Sequence, residues 1–475
     1  MNSINKVLKG VINQIIPLAS DRKKTEDISK ALKKKLAYEY EKAKIKAKIS
    51  LAGSIAKDTW LKKDPDIDIF VSLPTKIPRK NLDQIILKIA KKAIKNSKHI
   101  ERFAEHPYLE TYIDKIRVNI VPCYQVDLGK WKSATDRTPY HTKYINKFLN
   151  QELRNQVRLL KKFFKGINVY GAEIKIGGFS GYLCELLILH YKSFIKTLKV
   201  FSKYKKPIII DQNNLYQNNS DPALLFSDPL IVIDPVDKNR NVASALKSKK
   251  LYEFIGAARA FLRKPTKDFF FPPQINSYSL SVLESKIAER ESSLLFILTD
   301  NINAVPDVLW GQLYKTQRSI RKILKNNDFK ILKDAVWTDE KNLTVFVIEL
   351  ENSNLPKIQK RIGPPLGFEE ECNSFIFKHA KDSSLISGPY IQNKRWVILI
   401  KRTHFNANNL LIEKLSNDDQ NTGIPKQISK SFRNSLQILV NFGIANHYKK
   451  NQDFAVFLSK FLLGKPFWLT YQTNK

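Results

Sequence analysis

The spacing of apolar residues changes several times along the chain, and each change predicts a new kind of element. Over residues 1–46 the apolar positions fall at helical intervals and give two helices. In the second, Ile28, Leu32, Leu36 and Tyr40 recur at every fourth position while lysines occupy the outer face. The period then drops to two in Ile45-Lys46-Ala47-Lys48-Ile49-Ser50-Leu51, which predicts a strand over 45–51. Gly53-Ser54 ends that strand, and a second strand follows at 66–72. An amphipathic helix carrying Leu82, Ile85, Ile86, Ile89 and Ala93 comes next, then strands near 108–112 and 116–121. This mixed unit is expected to close near residue 150.

From 151 to about 263 the pattern is mostly helical, through Leu159, Leu160, Phe163 and Phe164, then Leu183, Leu186 and Leu187. A short strand at 230–233 leads into Asp234-Pro235-Val236-Asp237, and Arg240 is expected in a loop with Asp237, Lys238 and Asn239. Residues 264–274 hold three prolines around three consecutive phenylalanines and mark the next boundary. Beyond it the expected order is strand (294–298), helix (307–326), strands (329–337 and 343–350), helix (355–361) and strand (395–401). That βαββαβ order is the ferredoxin-like arrangement also used by RNA-binding sheets. Helices around 425–463 follow as a tail. The fold class is therefore multidomain α+β, with divisions at 1–150, 151–270 and 271–475.

The formal net charge of +36 on 475 residues adds a partner to this picture. Such an excess calls for a polyanion, nucleic acid ahead of membrane. Its lysine-rich character suits phosphate-backbone contact without base reading. Cys123, Cys184 and Cys372 are widely spaced, with neither a disulfide framework nor zinc spacing, which fits a reducing compartment. The N-terminus lacks a signal pattern, and no apolar run approaches the roughly eighteen residues of a membrane span. A cytoplasmic protein without membrane partners is expected.

Asp66-Ile67-Asp68 is where candidate chemistry concentrates. On a strand both carboxylates share one face, roughly 7 Å apart, while Ile67 and Ile69 point to a core. Aspartate is depleted in strands, and two on one face repel unless a cation lies between them. Such a pair could hold two Mg²⁺ ions for phosphoryl transfer. The Gly53-Ser54 step just upstream turns from strand to helix, a corner whose backbone N–H groups suit a triphosphate. A third carboxylate would belong in Ile116-Arg117-Val118-Asn119-Ile120-Val121, but the residue there is Asn119, which carries no charge. Either the amide suffices, another carboxylate such as Glu110 or Asp114 reaches in, or the site is slow or silenced.

Further segments accompany this pair: Gly53-Ser54-Ile55-Ala56-Lys57-Asp58-Thr59-Trp60-Leu61, Val121-Pro122-Cys123-Tyr124 and Asp136-Arg137-Thr138-Pro139-Tyr140-His141. Others are Val157-Arg158-Leu159-Leu160-Lys161, Tyr170-Gly171-Ala172-Glu173, Gly177-Gly178-Phe179-Ser180-Gly181-Tyr182-Leu183-Cys184-Glu185 and Asp234-Pro235-Val236-Asp237-Lys238-Asn239-Arg240-Asn241. In order, and with Arg361-Ile362-Gly363-Pro364 farther on, they resemble the archaeal-type (class I) CCA-adding tRNA nucleotidyltransferases over nearly the whole chain. The Gly-Ser and Asp-x-Asp pair alone marks only a broad superfamily; the segments from 136 to 185 are far more specific.

The resemblance implies a polymerase-beta-like catalytic head over 1–150, a helical neck over 151–270 and a tRNA-binding body and tail over 271–475. It implies addition of C, C and A to the tRNA 3′ end from CTP and ATP without a template, using Mg²⁺. Asp66 and Asp68 match the metal carboxylates, and Asn119 stands at the third position. Ser54, Lys57, His141, Lys161 and Tyr170 would contact the nucleotide. Arg240 would either read the base edge of C or A or touch a tRNA phosphate. Lys360 and Arg361 are weaker candidates for phosphate contact, and a homodimer is left open. The rivals are a poly(A) polymerase or oligoadenylate synthetase, which share the catalytic strand, and a tRNA-binding homologue weakened by Asn119.

Overall fold

The computed structural model describes residues 2–95, 98–103, 107–216, 222–417 and 422–470, which form two compact units. The first takes in the chain up to Gln274 together with the segment from Pro466; the second is Ile275–Lys465. None of the described helices is long and apolar enough to cross a membrane.

In the first unit, helices α1 (Asn2–Ile15) and α2 (Ala19–Lys42) precede a five-stranded mixed sheet. Its strands are β1 (Lys48–Ala52), β2 (Asp66–Pro74), β3 (His99–Phe103), β4 (Pro107–Ile113) and β5 (Ile116–Gln125), in the order β1-β2-β5-β4-β3. Only β2 and β5 run parallel. A one-turn helix α3 (Gly53–Ala56) follows β1, and α4 (Arg79–Ala93) crosses from β2. Ile28, Leu32 and Leu36 of α2 and Leu82, Ile86 and Ile89 of α4 share one core with Ile67, Ile69, Val118 and Ile120. Because a strand alternates its side chains, that core consigns Asp66, Asp68, Arg117 and Asn119 to the opposite face.

The rest of the unit packs α5 (Thr138–Phe148), α6 (Gln151–Gly166) and α7 (Gly181–Tyr191) with later helices around a phenylalanine cluster. Phe163 alone touches the rings of Phe194, Phe254, Phe261, Phe269 and Phe270. Two of the three phenylalanines in the proline-rich segment are thus core residues. Gly166 makes their approach possible, since a Cβ there would stand 1.9 Å from the Phe269 carbonyl oxygen. Backbone cannot yield as a flexible side chain would, so Gly166→Ala is expected to cost about 3 kcal/mol. A lowered urea midpoint at unchanged slope would report it.

A small three-stranded sheet, β6 (Ile208–Ile210), β7 (Leu230–Asp234) and β8 (Asp237–Asn241), completes the unit. Here the expectation of a loop at 237–240 is corrected. Asp237–Asn241 is a short strand hairpinned onto β7, and Arg240 sits on it. Asp, Lys and Asn are poor strand formers, so local sequence gave no sign of it.

In the second unit, β9 (Ser293–Asp300), β10 (Ile331–Thr338) and β11 (Leu343–Leu350) bear out three expected strands, and the helix Pro306–Asn326 the expected helix. The strand expected at 395–401 is also present, whereas the helix expected at 355–361 and the all-helical tail are corrected. Residues 355–361 are not helical but lead into β12 (Ile358–Pro365), which joins β13 (Leu385–Gln392) and β14 (Arg395–Lys401) in a separate sheet, order β12-β14-β13. Ile358 and Ile362 are four apart, a spacing that strands and helices share, and both are largely exposed. The fourth ferredoxin-like strand is instead β15 (Gln437–Val440), inside the stretch expected to be helical tail. The sheet order β10-β11-β9-β15 therefore closes around an insertion. Four residues are too few to reveal a period.

Candidate active site

Ala52 faces Asp68 across the antiparallel β1–β2 pair, so the chain turns at Gly53 directly beside that carboxylate. Gly53 has φ +69°, and a Cβ there would lie 1.9 Å from Asp68 Oδ2. Only glycine satisfies both constraints, and the carboxylate consequently rests against the Gly53-Ser54 turn.

Across the parallel β2–β5 pair, Asp68 faces Asn119 and Asp66 faces Arg117. Asn119 Nδ2 donates to Asp66 Oδ1 at 3.0 Å and to Asp68 Oδ1 at 2.9 Å. Arg117 Nε donates to Asp66 Oδ1 at 3.1 Å, and a second guanidinium nitrogen holds Oδ2. Burial, and then the charge of Asp66, push the Asp68 carboxyl up to about 7. Asn119 thus enters the site as a donor, while its amide oxygen is buried without a partner.

Whether these residues fit a cation turns on that amide, whose oxygen and nitrogen exchange by a flip. Facing two carboxylates, the oxygen is favourable only with a cation between them. A flipped Asn119 with Asp66 and Asp68 is an all-oxygen donor set of the kind hard divalent ions take. Among the described residues no three His, Cys, Asp or Glu side chains gather into a metal-binding group. Glu110 lies opposite Asn119 on β4 but is held by Arg102 at 3.0 Å. Asp114 is excluded as a substitute. It sits in the β4–β5 turn, about 15 Å along the strand, with its carbonyl bonded to Lys24.

Beside this corner, Lys57 and Lys161 converge on Glu185, which is fully buried on α7. Lys57 Nζ lies 2.5 Å from Glu185 Oε2, and Lys161 Nζ lies 3.1 Å from Oε1. Thr59 Oγ1 donates to the same Oε1 at 2.6 Å and accepts from Lys161 at 2.9 Å. Burial pushes the Glu185 carboxyl up, but its two ammonium neighbours outweigh this and hold it down at about 2. At Lys161 burial wins, because two cations share one anion, and its ammonium falls below the ordinary value. Gly181 opens α7 where a Cβ would meet Tyr170 Oη at 3.0 Å and Lys161 Nζ at 3.5 Å, so those two groups converge over it.

A second buried carboxylate, Asp234, collects three partners. His141 Nε2 lies 2.9 Å from Oδ2, Arg240 donates to Oδ2 at 2.7 Å, and Tyr182 Oη donates to Oδ1 at 3.1 Å. The His141 and Tyr182 rings stack with centroids 4.0 Å apart, and Lys57 Nζ stands 5.5 Å over the Tyr182 ring. Burial lowers the His141 pKa despite Asp234, so the ring is neutral near pH 7.

Lys57, Lys161, His141 and Arg240 therefore stand in one network, although they come from four separate stretches of sequence, and Tyr170 lies beside Lys161 over Gly181. Ser54 joins through its carbonyl, which accepts from Thr59 N at 2.9 Å. Sequence reasoning missed the residues that organise them. Glu185, in the apolar run Gly181–Tyr191, and Asp234, at the end of an apolar strand, stood in the matching segments without a role. A charge inside an apolar run was the available signal.

Family models match the chain in three segments. "Nucleotidyltransferase domain" matches residues 27–141, "tRNA nucleotidyltransferase, second domain" residues 155–271, and "CCA-adding enzyme, C-terminal domain" residues 290–441. The CCA-adding enzyme of Methanosarcina mazei is 36% identical over 97% of this chain and 99% of its own. That of Methanocaldococcus jannaschii is 36% identical over 90% and 94%, and that of Saccharolobus islandicus 37% over 78% and 84%. Nucleotidyltransferases of this family work with divalent metal ions. With such likeness over nearly its full length, the chain belongs to the archaeal-type CCA-adding enzymes, a class of tRNA nucleotidyltransferases.

Proposed function

We propose that this protein adds C, C and A to tRNA 3′ ends from CTP and ATP, releasing pyrophosphate, with Mg²⁺ as the divalent ion. The observation that carries the reading is the Asp66–Asp68 pair packed on the Gly53-Ser54 corner in a chain of this family. Asp66 and Asp68, with Asn119 through its oxygen, would hold the cation. As a pair of bound ions, Mg²⁺ would lower the pKa of the attacking 3′-hydroxyl at one and offset charge on the leaving group at the other.

The chain's own residues do the positioning. Ser54, Lys161 and Tyr170 hold the triphosphate, with Lys57 and Lys161 oriented by Glu185. The surplus positive charge around Glu185 is what an incoming polyphosphate neutralises. His141 and Arg240, fixed by Asp234, face the nucleotide; Arg240's rigid fork of donors suits a base edge. Catalysis is then placement of the hydroxyl in line with the α-phosphate plus fixed electrostatics. The domain reading belongs to this proposal: a head over 1–150 and neck over 151–270 for chemistry, and a basic body over 271–475 for the acceptor arm. So do a cytoplasmic location and a homodimer.

The test is incubation with tRNA ending before, within and after CCA, each with CTP, ATP or both, and sequencing of the ends. Completion to CCA and no further supports the proposal; prolonged ATP-only tailing of any RNA overturns it. Asn119→Asp supplies the third carboxylate and is expected to raise turnover about tenfold at limiting Mg²⁺. Unchanged turnover and unchanged Mg²⁺ dependence would remove Asn119 from the metal site.

A further inference from the structure

A hollow of about 490 Å³ lies in the first unit between the end of α1, the turn before β2 and the last turns of α6. Lys62, Lys63, Lys162 and Lys165 line it, with Asp64 as the carboxylate and Phe271 as an aromatic wall. Lys165 pairs with Asp64, and its ammonium also stands 5.1 Å over the Tyr170 ring. Lys162 Nζ stands 4.4 Å over the Phe271 ring. No carboxylate among the described residues pairs with Lys62, Lys63 or Lys162. The lining therefore carries four positive charges against one negative.

We propose that this hollow is a second anion site, separate from the catalytic carboxylates, that takes a compact polyphosphate. The ordinary reading of clustered lysines is a solvated face on a lysine-rich protein. Concavity and partial burial oppose it here. Burial, then the charge of Lys165, push the Lys162 ammonium below its usual value, with Lys63 adding to the effect and Asp64 opposing it. Crowding like charges into a half-buried hollow is unfavourable unless an anion shares the space. The volume lies in the range of small-ligand pockets. Lysines act as point charges and impose no planar geometry, so they match a flexible chain of phosphates. Free pyrophosphate and the tail of a nucleoside triphosphate share this chemistry. The Lys165–Tyr170 contact puts the hollow next to the residue proposed to hold the triphosphate.

The test is calorimetric titration of the full chain with pyrophosphate and, separately, ATP, with divalent metal chelated throughout. The proteins compared are the unmodified chain, Lys63→Glu and Lys161→Ala. Lys63 is exposed, so its reversal leaves the fold intact; thermal melting checks this. Lys63→Glu is expected to weaken binding by about tenfold or more. Lys161→Ala, on the catalytic side, should leave that component in place. Loss in the pyrophosphate arm alone identifies a free-pyrophosphate site, and loss in the ATP arm a site for a nucleotide tail. Binding in both arms that is indifferent to Lys63→Glu overturns the proposal, as does the absence of binding at millimolar ligand.

Discussion

Asp68→Asn is expected to lower single-turnover nucleotide incorporation on the order of 10³-fold while leaving tRNA binding intact. The substitution keeps the shape of the side chain against Gly53 and removes only its charge. Since burial and Asp66 already push the Asp68 carboxyl up to about 7, its protein surroundings disfavour the charged form. Thermal stability should therefore hold or rise as activity collapses, which separates a functional loss from a folding loss. A drop of less than about tenfold would mean that this carboxylate does not hold the cation.

Glu185→Ala should act in the opposite way, through the fold. Removing the carboxylate strands two ammonium groups, those of Lys57 and Lys161, in a site where Glu185 itself has no exposed surface. Breaking a buried pair of this kind costs about 3–5 kcal/mol, read by urea unfolding. Acid adds a signature. The Glu185 carboxyl is held at about 2, below its ordinary value, so near pH 3 the unfolded chain binds the proton more readily than the folded one. Its contribution to stability is thus complete above about pH 4.5 and fades as pH falls towards 2. In Glu185→Gln that part of the acid slope should disappear. A slope identical to that of the unmodified chain would show that the carboxylate is not held low by its lysines.

The sequence disclosed the catalytic strands because their pattern is unambiguous. Ile67 and Ile69 alternate with Asp66 and Asp68, and burying one set forces the other to face away. Gly53 was legible as a turn, but the packing of Asp68 on it was not, since that depends on the register of β1 against β2. Arg158 and Lys161, about one helical turn apart, have the spacing of a solvated basic stripe, yet both are buried. Arg158 reaches the carbonyls of Trp60 and Asp58, and Lys161 reaches Thr59, so the stripe faces protein rather than water. Charge periodicity on a helix cannot tell those cases apart when the partner is a distant loop. Arg117 was noticed only as a neighbour of Asn119, because its ion pair with Asp66 exists only once β2 and β5 align in parallel.

The late arrival of β15 has a consequence for synthesis of the chain. Until Gln437–Val440 leaves the ribosome, one side of β9 has no neighbour and presents Leu295, Phe296, Ile297 and Leu298 along an open edge. Unpaired edges of that composition invite pairing with other nascent chains. Products truncated in the insertion should accumulate as aggregates, because protection of β9 is delivered by one of the last strands to be translated.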